Sequence, residues 1–407
     1  MSLVRATAVL LGWCATAVAA QQPAVSVPLT YERALDLATS RNLGMAAARR
    51  ARAIREAGIT TAGQRPNPSA SFEVTRDTPH EVFVFDLPIE LGGKRARRLD
   101  LAKEELSLAD VDVQTELRAV RRELRQAFYS LMAADERIRL ADSLVDVARR
   151  VRDVAQARFD TGAAPRLDVL QADLGVARAE TDLELARGVR AFELARLNGV
   201  LNLPPQEPTM VVGALADGVA EISYERALAL ATTSNVDLIA LDRQIAVEER
   251  RVALLRAERT PTPTFSVSGL FNNAPDFTVG QGAGVSLELP LFSRNQGPIA
   301  ESVATTAQLR ARREATSRTI ENTISGTVAR IDAERRQLEA FERRLVPTAT
   351  DLQTLAEESY RAGRTSVLGV LDSQRSLREL RRDALQAALD LQLSLAELEE
   401  ILGTAIK

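Results

Sequence analysis

Residues able to do chemistry are sparse in this chain, which carries one histidine, His80, and one cysteine, Cys14. No Ser/His/Asp set, phosphate-binding loop or metal-ligand spacing can be assembled from so few partners, which argues against an enzyme and implies no cofactor and no resident metal. Beyond Met1 the methionines Met45, Met132 and Met210 are scattered and offer no soft metal site. What remains is a small polar set beside two turns. Asp168 follows Gly162 by six residues, Asp372 follows Gly363 by nine, and Tyr360 and Arg364 stand on either side of Gly363. Such groups can hydrogen-bond to one another and set a local charge. They read equally well as ordinary capping and turn residues, so their use depends on the elements that carry them.

The first of those elements is unusually long. From Gly93 to Gly162 no proline or glycine interrupts a run rich in Ala, Leu, Arg, Glu and Asp, which predicts one helix over 92–159, roughly 100 Å long at ~1.5 Å per residue. A helix of that length needs partners all along it. Leu140, Leu144, Val147, Val151 and Val154 form one apolar stripe, and Ala141, Val145, Ala148 and Ala155 form a second beside it. Two stripes mean two neighbours, as in a wall of helices. A turn at Asp160 to Pro165 leads into a return helix over 166–201, so the unit is a long antiparallel helical hairpin.

The unit occurs twice. Tyr31-Glu32-Arg33-Ala34-Leu35 recurs as Tyr224-Glu225-Arg226-Ala227-Leu228, and Asn42-Leu43 matches Asn235-Val236. Each copy then meets a proline pair, Pro66 with Pro68 and Pro261 with Pro263, that stops a helix. Alternation of period two follows: Ala70, Phe72 and Val74 interleave with Ser71, Glu73 and Thr75, and Phe265 and Val267 with Ser266 and Ser268. Return strands end at Leu87-Pro88 and Leu289-Pro290, and Val169-Leu170 matches Val370-Leu371 beyond the helical turns. The expected organisation is a signal peptide at 1–20; a first repeat at 21–202, with a β-hairpin about 67–89; a linker at 203–222; and a second repeat at 223–407. The second repeat is expected to hold a hairpin about 262–291, a long helix about 298–360 with a kink or break at Pro347, and a return helix about 366–402.

Composition narrows the surroundings. A net charge of −3 gives no reason to expect nucleic acid. Aromatics are only 4% of residues, which suits close helix packing through alanine better than a broad globular core. The basic run Lys94 to Arg98 reads as a solvated helix start. Arg5 followed by an apolar run to Ala20 reads as a cleaved secretory signal, so the mature protein is exported without Arg5 and without Cys14. Leu11-Gly12-Trp13-Cys14 loosely resembles a lipidation site, against which stands the bulk of Trp13. No later apolar run reaches the ~18 residues of a transmembrane helix.

The strands therefore have two readings: a small soluble sheet with one wet face, or barrel strands with apolar side chains toward lipid and polar ones toward a lumen. Hairpins at the far end of very long helices in an exported protein favour the barrel. Four strands cannot close one, since the smallest use about eight, so several chains must combine.

In order and duplication these features resemble the TolC-type outer-membrane efflux channels. The resemblance rests on Arg65-Pro66-Asn67-Pro68, the paired Leu-Pro strand exits, Arg158 to Gly162 through Leu167 to Leu170, and Tyr360 through Asp372. Glu90-Leu91-Gly92-Gly93-Lys94-Arg95 further resembles the CzcC-like branch serving heavy-metal efflux. The resemblance implies a mainly α fold with membrane β: internally duplicated helical hairpins forming a periplasmic α-barrel, and four strands per chain in a trimeric, 12-stranded outer-membrane β-barrel. It implies a homotrimer in outer-membrane lipid, working with a periplasmic adaptor and an inner-membrane pump. Asp168 and Tyr360 match positions whose hydrogen bonding holds the periplasmic entrance closed, and Asp372 matches an acidic constriction ring that would favour cations. Arg364 matches the gate arginine with a shift of one position, and Gly369 stands where a second ring aspartate would be. Other functions compatible with the sequence are a periplasmic adaptor or structural coiled-coil protein, and an exit duct for secreted proteins or organic compounds.

Overall fold

The computed structural model describes residues 28–76, 79–215, 222–274 and 277–406. The expected signal segment 1–20 with Cys14, and positions 216–221 of the linker, lie outside them. The first half of the chain runs α1 (Tyr31–Arg41), α2 (Leu43–Ala62), β1 (Ser69–Val74), β2 (Glu81–Pro88), α3 (Lys94–Asp160) and α4 (Arg166–Val200). The second half repeats that order as α5 (Tyr224–Ser234), α6 (Val236–Ala257), β3 (Pro263–Ala274), β4 (Phe277–Leu287), α7 (Gln296–Ala340), α8 (Val346–Arg361) and α9 (Val367–Leu402).

The repeated sequence motifs are local structural devices. Thr30 and Ser223 cap α1 and α5, accepting from the amides of Arg33 and Arg226 at 3.3 Å each. Both helices stop at an asparagine that opens the next one: Asn42 caps Met45 and Asn235 caps Leu238. The side-chain amides of the same two residues reach across to the ends of the return helices, Asn42 to the Val200 carbonyl at 3.3 Å and Asn235 to the Ile401 carbonyl at 2.7 Å. Each repeat is thereby tied back on itself.

Helix α3 has 67 residues. Near its start it meets α2, through Arg52 to Asp110 at 2.6 Å and Arg55 to Glu105 at 3.6 Å. Near its end it meets α4, through Arg149 to Glu180 at 2.7 Å and Arg152 to Asp173 at 3.3 Å. The shorter helices therefore lie end to end along the long one. Exposed ion pairs of this kind contribute only ~0–1 kcal/mol each, so they mark register more than stability. Cohesion comes from small apolar contacts such as Ala141, Val145 and Ala148 against Ala179, Leu183 and Ala186. A thicker core forms at mid-length, where α1, α5 and the linker wrap the rods. Leu124, Phe128, Leu131, Leu197, Ile331, Leu391 and Leu398 are fully buried there, and Leu29 bridges to Val211 of the linker.

Two expectations change. Pro347 does not break its helix: a π-helical turn at Phe341–Leu345 precedes it, so the chain stays helical from Gln296 to Arg361. The widened turn accommodates a ring that lacks an N–H and would clash with the carbonyl four residues back. The basic run is not simply solvated. Arg95 donates to the Gly63 carbonyl and Arg98 to those of Ala62 and Gln64, capping the end of α2, while Arg98 also grips Glu90. This pair holds the Glu90 carboxyl below its ordinary range.

The four strands form one antiparallel sheet in the order β1-β2-β3-β4. Register puts Phe72 opposite Phe83, Phe85 opposite Val267, and Phe265 opposite Val285, all on one face. Ser71, Asp86, Ser266 and Gly284 alternate with them on the other, where the Ser266 hydroxyl donates to Asp86 at 2.6 Å. The apolar face is exposed throughout. Strands β3 and β4 have 12 and 11 residues, long enough to span a bilayer core, whereas β1 and β2 have 6 and 8. His80 sits at the first hairpin turn, where Thr75 and His80 close the strands with a 2.7 Å backbone bond.

Candidate functional site at the helix tips

At the end remote from the sheet, both helical hairpins turn on a left-handed glycine, Gly162 at φ 74° and Gly363 at φ 72°. The bonding around them is matched: the Ala163 amide returns to the Arg158 carbonyl and the Arg364 amide to the Ser359 carbonyl, each at 2.8 Å. The two turns lie side by side, because α3, α4, α8 and α9 share an apolar cluster of Val151, Ala155, Ala172, Tyr360, Val367 and Val370.

Tyr360 is the centre of this junction. It is 2% exposed, and its hydroxyl donates to Asp168 Oδ2 at 3.5 Å, joining α8 of the second repeat to the first turn of α4 in the first. The Arg158 guanidinium lies over its ring, 4.6 Å from the centroid, and donates to its backbone carbonyl and to that of Ala163. Burial, then the Asp168 carboxylate, raise the Tyr360 pKa above the ordinary phenol value, with Arg158 opposing. The phenol is therefore kept protonated as a donor. Asp168 occupies the third position of α4, where a carboxylate is also favoured by the helix N-terminus.

Of the expected set, the structure brings Asp168 and Tyr360 together. Arg364 is exposed at the turn and makes no side-chain hydrogen bond or ion pair among the described residues. Asp372 stands apart, exposed on α9 in a groove it shares with Arg178, Arg375 and Arg378, so the local charge around it is mixed. The guanidinium that engages Tyr360 belongs to Arg158, which sequence reasoning placed in a motif but gave no role. Its partner lies 202 residues away, and only a basic residue in the last turn of α3 hinted at it. Among the described residues no cluster of His, Cys, Asp and Glu could hold a metal ion, and no helix is long and apolar enough to cross a membrane.

A family model described as outer membrane efflux protein matches residues 34–203 and 227–404, one stretch in each repeat. The chain belongs to the outer membrane efflux protein family. Membership sets aside the adaptor and structural-rod readings. Among relatives, the chain is 28% identical to the cobalt-zinc-cadmium resistance protein CzcC of Cupriavidus metallidurans over 375 residues, covering 87% of this chain and 85% of that one. Solved structures similar in fold include CusC, with a TM-score of 0.77 at 14% identity over 93% of each chain. The outer membrane channel MtrE of Neisseria gonorrhoeae, in its open state, gives 0.75 at 16% identity over 93% of this chain and 89% of that one. As in the sequence of this efflux protein, the fold is mainly helical and internally duplicated, with a small antiparallel sheet at one end.

Proposed function

We propose that the chain is the exit duct of a tripartite efflux pump, a homotrimer whose sheets together close a 12-stranded barrel in the outer membrane. The observation that carries this reading is the two-faced sheet. Its apolar face is exposed, its other face carries Ser71, Asp86, Ser266, Ser268 and three glycines among Val82, Val84 and Leu270, and β1 and β4 are edge strands without a further partner among the described residues. Water tolerates neither a continuous apolar face nor long open edges, while a closed barrel in lipid removes both. Export by a cleaved signal, an adaptor and an inner-membrane pump as partners, passive conduction without catalysis, and closure at Tyr360 and Asp168 belong to the same proposal. Asp372 then adds negative charge to the conduit, and Arg364 remains free at the tip to meet a partner.

For cargo we propose divalent metal cations, supported by the name of the cobalt-zinc-cadmium resistance relative. Selection would rest with the pump, since this chain offers no ligand cluster among its described residues. The test is fractionation followed by the native mass of the detergent-extracted protein. Three chains in the outer-membrane fraction support the proposal, and a soluble monomer overturns it. Growth of a deletion strain on zinc, cobalt or cadmium, with and without the gene, tests the cargo.

A further inference from the structure

The internal duplication predicts a second contact at the tip, which one chain cannot make by itself. Aligning Gly162 with Gly363 pairs Val151 with Leu352, Val154 with Leu355 and Phe159 with Tyr360. Val151 and Tyr360 are buried, at 6% and 2%, and Val154 packs against them where the two repeats meet inside the chain. Their counterparts on the outer flanks are open: Leu352 is 53% exposed, Leu355 61% and Phe159 40%. The same apolar pattern is thus used once within the chain and left uncovered once.

We propose that this flank is covered by a second copy of the chain, with Leu352 and Leu355 of one protomer seated on Phe159 of the next, and that this seam lacks the equivalent of the inner lock formed by Tyr360, Asp168 and Arg158. Repeating a head-to-tail contact around an axis closes a ring, so the inner contact continues naturally into the outer one. The inference rests on the trimeric reading above and extends it. All three members of the inner lock are replaced in the duplicate set. Tyr360 corresponds to Phe159, which has no hydroxyl; Asp168 corresponds to Gly369, which has no carboxylate; and Arg158 corresponds to Ser359, which has no guanidinium. The closed ring is therefore held by one lock per chain, inside each protomer. Between protomers no counterpart of the inner Tyr360–Asp168 bond has to break, so the tips part first at the protomer seams.

Two experiments test this. In a Cys14→Ser background, Phe159→Cys with Leu355→Cys is oxidised in membranes, and the native mass of the extract is measured alongside. Covalent dimers and trimers on a non-reducing gel are expected. A trimeric native mass without intermolecular cross-links overturns the seam while leaving the trimer standing, and a monomeric mass overturns both. The second experiment installs the missing lock, Phe159→Tyr with Gly369→Asp and Ser359→Arg, in a channel whose inner lock is removed by Tyr360→Phe and Asp168→Ala. A Cβ at position 369 would approach the Thr365 hydroxyl to 3.0 Å, a tight fit that a small shift relieves. Single-channel conductance at least twofold below that of the unlocked channel is expected. Conductance that stays at the unlocked level overturns the equivalence of the two seams.

Discussion

The Tyr360 hydroxyl and the Asp168 carboxylate, 192 residues apart in the chain, meet at 3.5 Å and join the two repeats at their tips. This bond is long, and its geometry depends on how α8 is held against α4, which makes the joint sensitive to small movements of either helix.

Removing the pair should open the entrance. A hydrogen bond to a charged group contributes ~1.5–3 kcal/mol at good geometry and less at this length. In the proposed trimer three copies of the bond act together. Tyr360→Phe with Asp168→Ala is expected to raise single-channel conductance in planar bilayers, while unchanged conductance would remove the gate assignment.

Arg158 should behave as a positioning residue for the same joint. Arg158→Ala loses the ring contact and both carbonyl bonds, an effect of ~1–2 kcal/mol on the tip. Amide exchange in 356–370 is expected to accelerate and conductance to rise. Arg158→Lys should restore little of either, because an ammonium cannot lie flat on the ring and donate to two carbonyls together.

Alkali should act on the mid-length core through Tyr31. Burial, then Glu399, push its pKa up from 10.0 to about 12. A raised folded pKa means that the folded state keeps its proton longer, so this stability is fully present below pH 10 and is lost as pH climbs toward 12. The Arg125 guanidinium, 5.9 Å from the Tyr31 ring and 2.5 Å from Glu399, belongs to the same cluster. Tyr31→Phe is expected to flatten the decline in thermal stability between pH 10 and 12, by up to about 2–3 kcal/mol. Parallel pH curves for the two proteins would contradict this.

Gly92 should tolerate no side chain. Its φ is +72°, and a Cβ there would lie 2.4 Å from the Thr260 hydroxyl. Gly92→Ala combines left-handed strain of ~1–2 kcal/mol with a steric clash at the junction of sheet and rods. Reduced yield of assembled protein is expected. Thr260→Gly should recover part of it, since the Thr260 Cβ and hydroxyl, 2.6 and 2.4 Å from the added Cβ, are both removed while the strain is not.

How much of this was legible beforehand follows from the range of each interaction. The long helix was readable because helix breakers act locally, and between Gly93 and Gly162 there are none. Alternation at Ala70, Phe72 and Val74 marked a two-faced strand for the same reason: side-chain direction in a strand depends on parity alone. The π-helical turn before Pro347 was not legible, because whether a proline breaks or widens a helix depends on the packing that holds the helix together on either side.

The tip shows the division most clearly. By itself the sequence determined that two matched turns exist, at Gly162 and Gly363, and that Phe159 and Tyr360, or Asp168 and Gly369, hold corresponding places. Which of those places face each other inside one chain was decided only by the tertiary structure. Sliding a helix by one residue moves it ~1.5 Å and turns its side chains by about 100°, so no local pattern can specify that Arg158 covers Tyr360 while Arg364 is left exposed. That register is set by the buried contacts of Val151, Ala155, Ala172 and Val370 from three different helices. Only once they are packed does a tyrosine find its aspartate.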